Sequence, residues 1–172
     1  MNSSIFSRRG FSLIEMVVYI ALLAILTVLA VNMTLSMTRA FADLRVSRDL
    51  NSSATALFER ITRDIRGAYD VDAAGSVLGT NPGELLLNTK DAGGTNMTVE
   101  YFVSSGAVHI KENGLDLGPI TSASTQTGSF VVREIIGANS KAVKVEVTLS
   151  ATRGDITKQR NFYTTVVLRG TY

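Results

Sequence analysis

The chain contains no cysteine, which excludes a disulfide framework and any thiol-based metal site. Its one histidine, His109, falls on the polar side of an alternating stretch and has no triad partners visible in the sequence. It reads as a solvated surface histidine and not as a catalytic base. No stripe of basic and aromatic residues marks a nucleic-acid surface. Asp70 and Asp72 offer the oxygen ligands that calcium requires, but no twelve-residue calcium loop accompanies them. These absences leave no catalytic, cofactor-binding or metal residue to name. Residues 32–66 lack both proline and glycine, so nothing there interrupts a helix. Residues 11–31 lack charge, with the single exception of Glu15.

That uncharged run is the strongest feature present. As a helix its 21 residues span roughly 31 Å at 1.5 Å per residue, which matches a bilayer core of about 30 Å. A core helix of a soluble domain would show a polar face, and this one shows none, so the segment reads as a membrane helix. Arg8 and Arg9 flank its N-terminal edge, and the positive-inside rule then keeps that end in the cytoplasm and delivers residues 32–172 outside. The chain is long enough for one exported domain with a hydrophobic core of its own.

Beyond Val31 the helical pattern continues. Leu50, Ala54, Leu57, Phe58, Ile61, Ile65 and Ala68 fall within about 100° on a helical wheel, the stripe of a helix packed on a core. Glu59 and Arg63 have the order and spacing of an i,i+4 ion pair on the exposed side, and Gly67 is a plausible stop. Met37, Phe41 and Leu44 form a second set pointing roughly 100° away. They suit either neighbouring helices or a bend that returns both sets to one core.

After Tyr69 the texture changes to alternation punctuated by turns. "GTNPGE" and "DAGGTN" read as loops. Residues 97–103 alternate as a half-buried strand, and Val108 and Ile110 after "SSG" complete a hairpin. Residues 130–136, 143–149 and 161–169 are further strands, while "GPITSASTQTGS" reads as a flexible loop and "RGD" at 153–155 as a turn. The expected fold is α+β: one long N-terminal helix over residues 11–66 packed on an antiparallel sheet. The competing architecture is a free helix followed by a separate β-sandwich. Charge is uneven along the exported part. Residues 70–116 carry two basic and seven acidic side chains, and residues 133–169 carry seven basic and three acidic. This favours head-to-tail contact between copies unless the folded domain interleaves the two regions.

Three readings of residues 1–31 compete. A cleaved secretory signal has a shorter apolar core and a small-residue cleavage site, for which "VLAV" is a poor candidate. A plain signal anchor explains the apolar length. Neither explains an acid inside the run, where a carboxylate costs on the order of 2.5–3.5 kcal/mol at the bilayer centre and less near the interface. The octet "RRGFSLIE", with its basic leader, Gly10, Phe11 and then Glu15 ahead of the apolar helix, resembles the type IV prepilin and type II secretion pseudopilin family. That resemblance implies a leader of residues 1–10, a membrane half of the helix over residues 11–31 and an exported pilin-like domain over residues 32–172.

It further implies cleavage between Gly10 and Phe11 by a prepilin peptidase that also methylates the Phe11 amine. Glu15 is implied as the assembly residue that pairs with such an amine, its own or a neighbour's. The implied partners are that peptidase/methyltransferase, other pilins or pseudopilins, an inner-membrane assembly platform and the lipid bilayer. "VEYFVSSGAVHIKENG" and "FYTTVVLR" are similar to strands of J-type minor pseudopilins. Asn32 stands where many major pilins have a helix-breaking proline, Ala24 where many have glycine, and the paired C-terminal cysteines of many pilins are missing. These departures imply a minor subunit. The function class that competes is a conventionally anchored surface binding module or enzyme.

Overall fold

A computed structural model describes residues 12–137 and 140–169. One helix, α1, runs Leu13–Gly67 without interruption, as the absence of proline and glycine predicts. The chain divides after Phe41 into two compact units. In the first, every described residue is exposed except Glu15, which is half-buried. The hydroxyls of Thr27, Thr34 and Thr38 donate back to the carbonyls of Leu23, Ala30 and Thr34 at 2.8, 2.9 and 3.0 Å. Such back-bonding satisfies polar side chains within the helix itself, which is what an apolar surrounding demands.

In the second unit α1 buries Val46, Leu50, Ser53, Ala54, Leu57, Ile61 and Ile65. This is the expected stripe, extended one turn towards the N-terminus by Val46. Phe58, expected among the buried set, is only half-buried and packs on the rim of the core. Eight strands follow: β1 (Asp70–Val71), β2 (Leu85–Lys90), β3 (Asn96–Ser104), β4 (Ala107–Glu112), β5 (Leu115–Pro119), β6 (Thr125–Ile136), β7 (Lys141–Arg153) and β8 (Ile156–Val167). All their pairings are antiparallel. They form two sheets, a five-stranded one in the order β1-β2-β3-β4-β5 and a three-stranded one in the order β6-β7-β8. The helix stripe shares one core with both, through Leu85, Leu87 and Tyr101 of the first and Phe130, Val145 and Val147 of the second.

The split into two sheets follows from what occupies the outer edge of β6. Gly79 and Gly83 donate their N–H groups to the carbonyls of Val132 and Phe130 at 2.8 and 2.7 Å, and Thr127 donates to Gly106 at 2.7 Å. A loop segment and a turn thus satisfy that edge where a continuous ladder would otherwise run. The serine- and threonine-rich stretch expected to be a flexible loop is mostly structured. Thr125 already belongs to β6, and Ser53, Thr121 and Thr125 are buried. Ser53 Oγ accepts from the Ser122 N–H and from the Thr125 hydroxyl, both at 3.2 Å, and Thr121 Oγ1 accepts from the Val108 N–H at 3.2 Å. Composition alone reads hydroxyls as solvated, whereas here they are buried and satisfied by backbone N–H groups and, for Ser53 and Thr125, by one another.

The five-stranded sheet is also tied to α1 by charge. Tyr101 Oη donates to Asp64 Oδ2 at 2.6 Å, Arg60 Nε donates to the same oxygen at 2.9 Å, and Arg60 Nη2 reaches Glu112. Burial, reinforced by the Asp64 carboxylate, pushes the Tyr101 phenol well above its ordinary value. The ion pair expected between Glu59 and Arg63 is not formed among the described residues; Arg60–Asp64 takes its place on the turn. The reason is tertiary, because Arg60 and Asp64 face β3 and β4 while Glu59 and Arg63 face outward. Ile61→Ala should therefore destabilise the domain by about 2–5 kcal/mol. Tyr101→Phe, which strips a buried partner from Asp64, should cost about 1–3 kcal/mol, and Glu59→Ala should stay within about 0.5 kcal/mol of wild type. Denaturant unfolding of the detergent-solubilised full chain, followed by far-UV circular dichroism, ranks the three.

Candidate processing and assembly site

Gly10 and Phe11, the expected scissile pair, lie outside the described residues. The described part of the site begins with Ser12, whose carbonyl accepts the first helical bond from the Met16 N–H at 3.1 Å. Ser12 is therefore the N-cap of α1, and Glu15, three residues on, lies in its first turn. Serine and glutamate at this spacing form the sequence pattern of a capping box. An acid in the first turn also complements the helix dipole. Both give Glu15 a local reason to be there that motif reading alone passes over.

The Glu15 carboxylate has a definite partner. Tyr19, one turn further along, donates its hydroxyl to Glu15 Oε1 at 3.1 Å. The sequence signal was available as an i,i+4 spacing, but it is hidden within an apolar run where a tyrosine reads as bulk. The helix beyond is long and apolar enough to cross a membrane, with a mean hydropathy of 2.6 over its best window and none of that window buried.

The other residues weighed in the sequence are placed far from this site in the chain and do not come together. Asp70 accepts from Lys141 Nζ at 2.6 Å, an ion pair that joins β1 to β7. Asp72 Oδ1 accepts the N–H groups of Ala74 and Gly75 at 3.1 and 3.0 Å and closes a turn. His109 lies on β4 with Nδ1 3.2 Å from Asp116 Oδ2, its ring tilted against Phe102 at 5.4 Å between centroids. No cluster of three or more His, Cys, Asp or Glu side chains able to hold a metal occurs among the described residues.

Residues 5–31 match the family described as the prokaryotic N-terminal methylation motif. The chain carries a prepilin signature. The match begins ahead of Gly10, includes Phe11, Glu15 and Tyr19, and ends with the apolar half of α1. No curated protein and no solved structure matches the chain. The match covers 27 of the chain's 172 residues and overlaps the start of the one long helix, which packs further along on antiparallel sheets.

The ion pairs carry a pH prediction. Lys141 holds the Asp70 carboxyl below its ordinary value, chiefly by the hydrogen bond. Such a group contributes stability above its unfolded value of about 3.9, and that contribution fades as pH falls through the lower folded value. Asp70→Asn should remove this part of the acid sensitivity while leaving neutral-pH folding intact, as melts at a series of pH values will show. Because both carboxylates are already engaged, millimolar calcium should leave the wild-type melting temperature unchanged.

Proposed function

We propose that this prepilin is a structural subunit, of the minor class, of a type IV pilus, a type II secretion pseudopilus or a competence pilus. The observation that carries the reading is the methylation-motif match over residues 5–31 at the head of an unbroken 55-residue helix whose first unit is exposed and apolar. In this reading Arg8 and Arg9 hold the leader at the cytoplasmic face of the inner membrane. The peptidase cuts between Gly10 and Phe11, the Phe11 amine is methylated, and residues 32–172 stand outside. The subunit is then drawn from the bilayer into a helical filament by the assembly platform and neighbouring pilins.

Glu15 supplies the coupling between processing and assembly. An isolated carboxylate or ammonium in a low-dielectric helix bundle is costly, and pairing the two offsets that desolvation. Cleavage creates the amine, so only a processed chain, its own or a neighbouring one, offers Glu15 an ammonium partner. Gly10 suits the cut because it has no side chain to shield the backbone from the peptidase. The exposed Met37 and Phe41, at 56% and 52%, extend the apolar surface available to neighbouring helices. The smooth run through Ala24 and Asn32 supports a minor subunit, since helix breakers common in major pilins are missing.

Two variants separate the roles. Gly10→Leu should leave uncleaved precursor in the membrane. Glu15→Val should be cut normally, since the scissile bond is untouched, yet enter filaments at least about tenfold less, equivalent to about 1.4 kcal/mol of lost pairing. Immunoblots of sheared filaments and membranes report both. Normal filaments from a strain lacking the gene, together with a soluble activity from the exported part, would favour a conventionally anchored binding module or enzyme instead.

A further inference from the structure

The carboxylate of Glu15 sits in a run with few groups able to serve it. Among residues 12–31 the polar side chains are those of Ser12, Glu15, Tyr19 and Thr27. Thr27 spends its hydroxyl on its own helix, donating to the Leu23 carbonyl at 2.8 Å. Ser12 is the N-cap, and its carbonyl accepts from the Met16 N–H. One turn beyond Glu15, on its own face of the helix, stand Val18 and Tyr19. Of these only Tyr19 has a side-chain hydrogen to give. It gives it to Glu15 Oε1, at 3.1 Å.

Helix geometry explains the contact. Side chains on a helix lean towards its N-terminus, over the preceding turn, so the Tyr19 ring lies back towards Glu15. The exposures agree: Tyr19 is 52% exposed, whereas Glu15 alone among the described residues of the first unit is half-buried. A tyrosine can do this in an apolar run because its body is apolar and its tip polar. The bond engages one carboxylate oxygen and leaves Oε2 for a second donor.

We infer that Tyr19 is a positioning residue for Glu15: it fixes the carboxylate through Oε1 and leaves Oε2 for the ammonium that cleavage creates. A desolvated ion pair repays its cost only when its geometry is good and the remaining lone pairs are also satisfied. Tyr19 meets both conditions. It restrains a flexible side chain in advance, which lowers the cost of ordering it on assembly. It also supplies the extra donor where water is scarce. The ammonium it prepares for is that of its own chain or of any processed subunit beside it. Before assembly the same bond gives the carboxylate a partner while the chain waits in the bilayer. The inference rests on the reading of Glu15 as the assembly residue, and it adds the group that readies it.

Full-length Tyr19→Phe keeps the ring and removes the hydroxyl. In cells with an active prepilin peptidase it should show the wild-type N-terminal mass, yet reach sheared filaments about fivefold less than wild type. Glu15→Val is measured beside it. The double variant, Glu15→Val with Tyr19→Phe, should fall no further than Glu15→Val alone, because the hydroxyl then has nothing to position. A role in packing alone gives another pattern: Tyr19→Phe neutral and Tyr19→Leu defective, or a double variant that loses a further fivefold. Either result, beside a defective Glu15→Val, overturns the inference and leaves the filament reading standing. If Glu15→Val itself assembles normally, the carboxylate has no assembly role and the inference falls with it.

Discussion

A single unbroken helix has to be stable in two solvents, and the rest of the structure depends on how it does so. Its first unit exposes Leu, Ile, Val and Met in every direction and turns its threonine hydroxyls back onto its own carbonyls. Its second part narrows the apolar surface to one stripe and hands that stripe to two sheets. No helix break marks the change, so the transition is made by side-chain chemistry alone. In a bilayer the first pattern is favourable and in water the second is, which fixes how far the chain can be withdrawn from either.

Holding that stripe in place takes more than apolar contact. The five-stranded sheet is pinned by Tyr101 and Glu112 acting on Asp64 and Arg60, and the three-stranded sheet by Lys158, whose Nζ lies 2.6 Å from Asp43 Oδ1. Between the two, Ser53 of the helix bonds Ser122 and Thr125, and Thr121 of the β5–β6 connection bonds Val108 of β4. These polar contacts set the helix's register and rotation on the sheets, which a smooth apolar stripe cannot do on its own. With its rotation fixed, α1 presents Thr55, Arg63 and Arg66 outward.

Much of this was legible in the sequence, for reasons that differ between elements. The helix was readable because residues 32–66 hold no breaker and their apolar positions recur at helical spacing. β7 was readable because its valines and Leu149 alternate without a fault, as befits the central strand of its sheet. β2 was missed because Leu85, Leu86 and Leu87 run consecutively, although only the first and third are buried. β5 was missed although Asn113 and Gly114 mark the turn before it. Both have positive φ, 49° and 80°, the geometry that an Asn-Gly hairpin turn adopts. At the site, Glu15 stood out because an acid in an apolar run is rare, whereas Tyr19 was hidden because a tyrosine there is not. The Arg60–Asp64 pair could not be told from Glu59–Arg63, since the choice is made by residues 37 and 52 positions away.

The central claim is that the chain begins life as a precursor whose new N-terminus is created four residues before Glu15. N-terminal mass spectrometry of the membrane-extracted wild-type protein tests it most directly. The account predicts a mature chain of 162 residues, the 172 of the precursor less a leader of ten, beginning with N-methylated Phe11. A chain beginning near Asn32, or an intact Met1 in cells with an active prepilin peptidase, would contradict it.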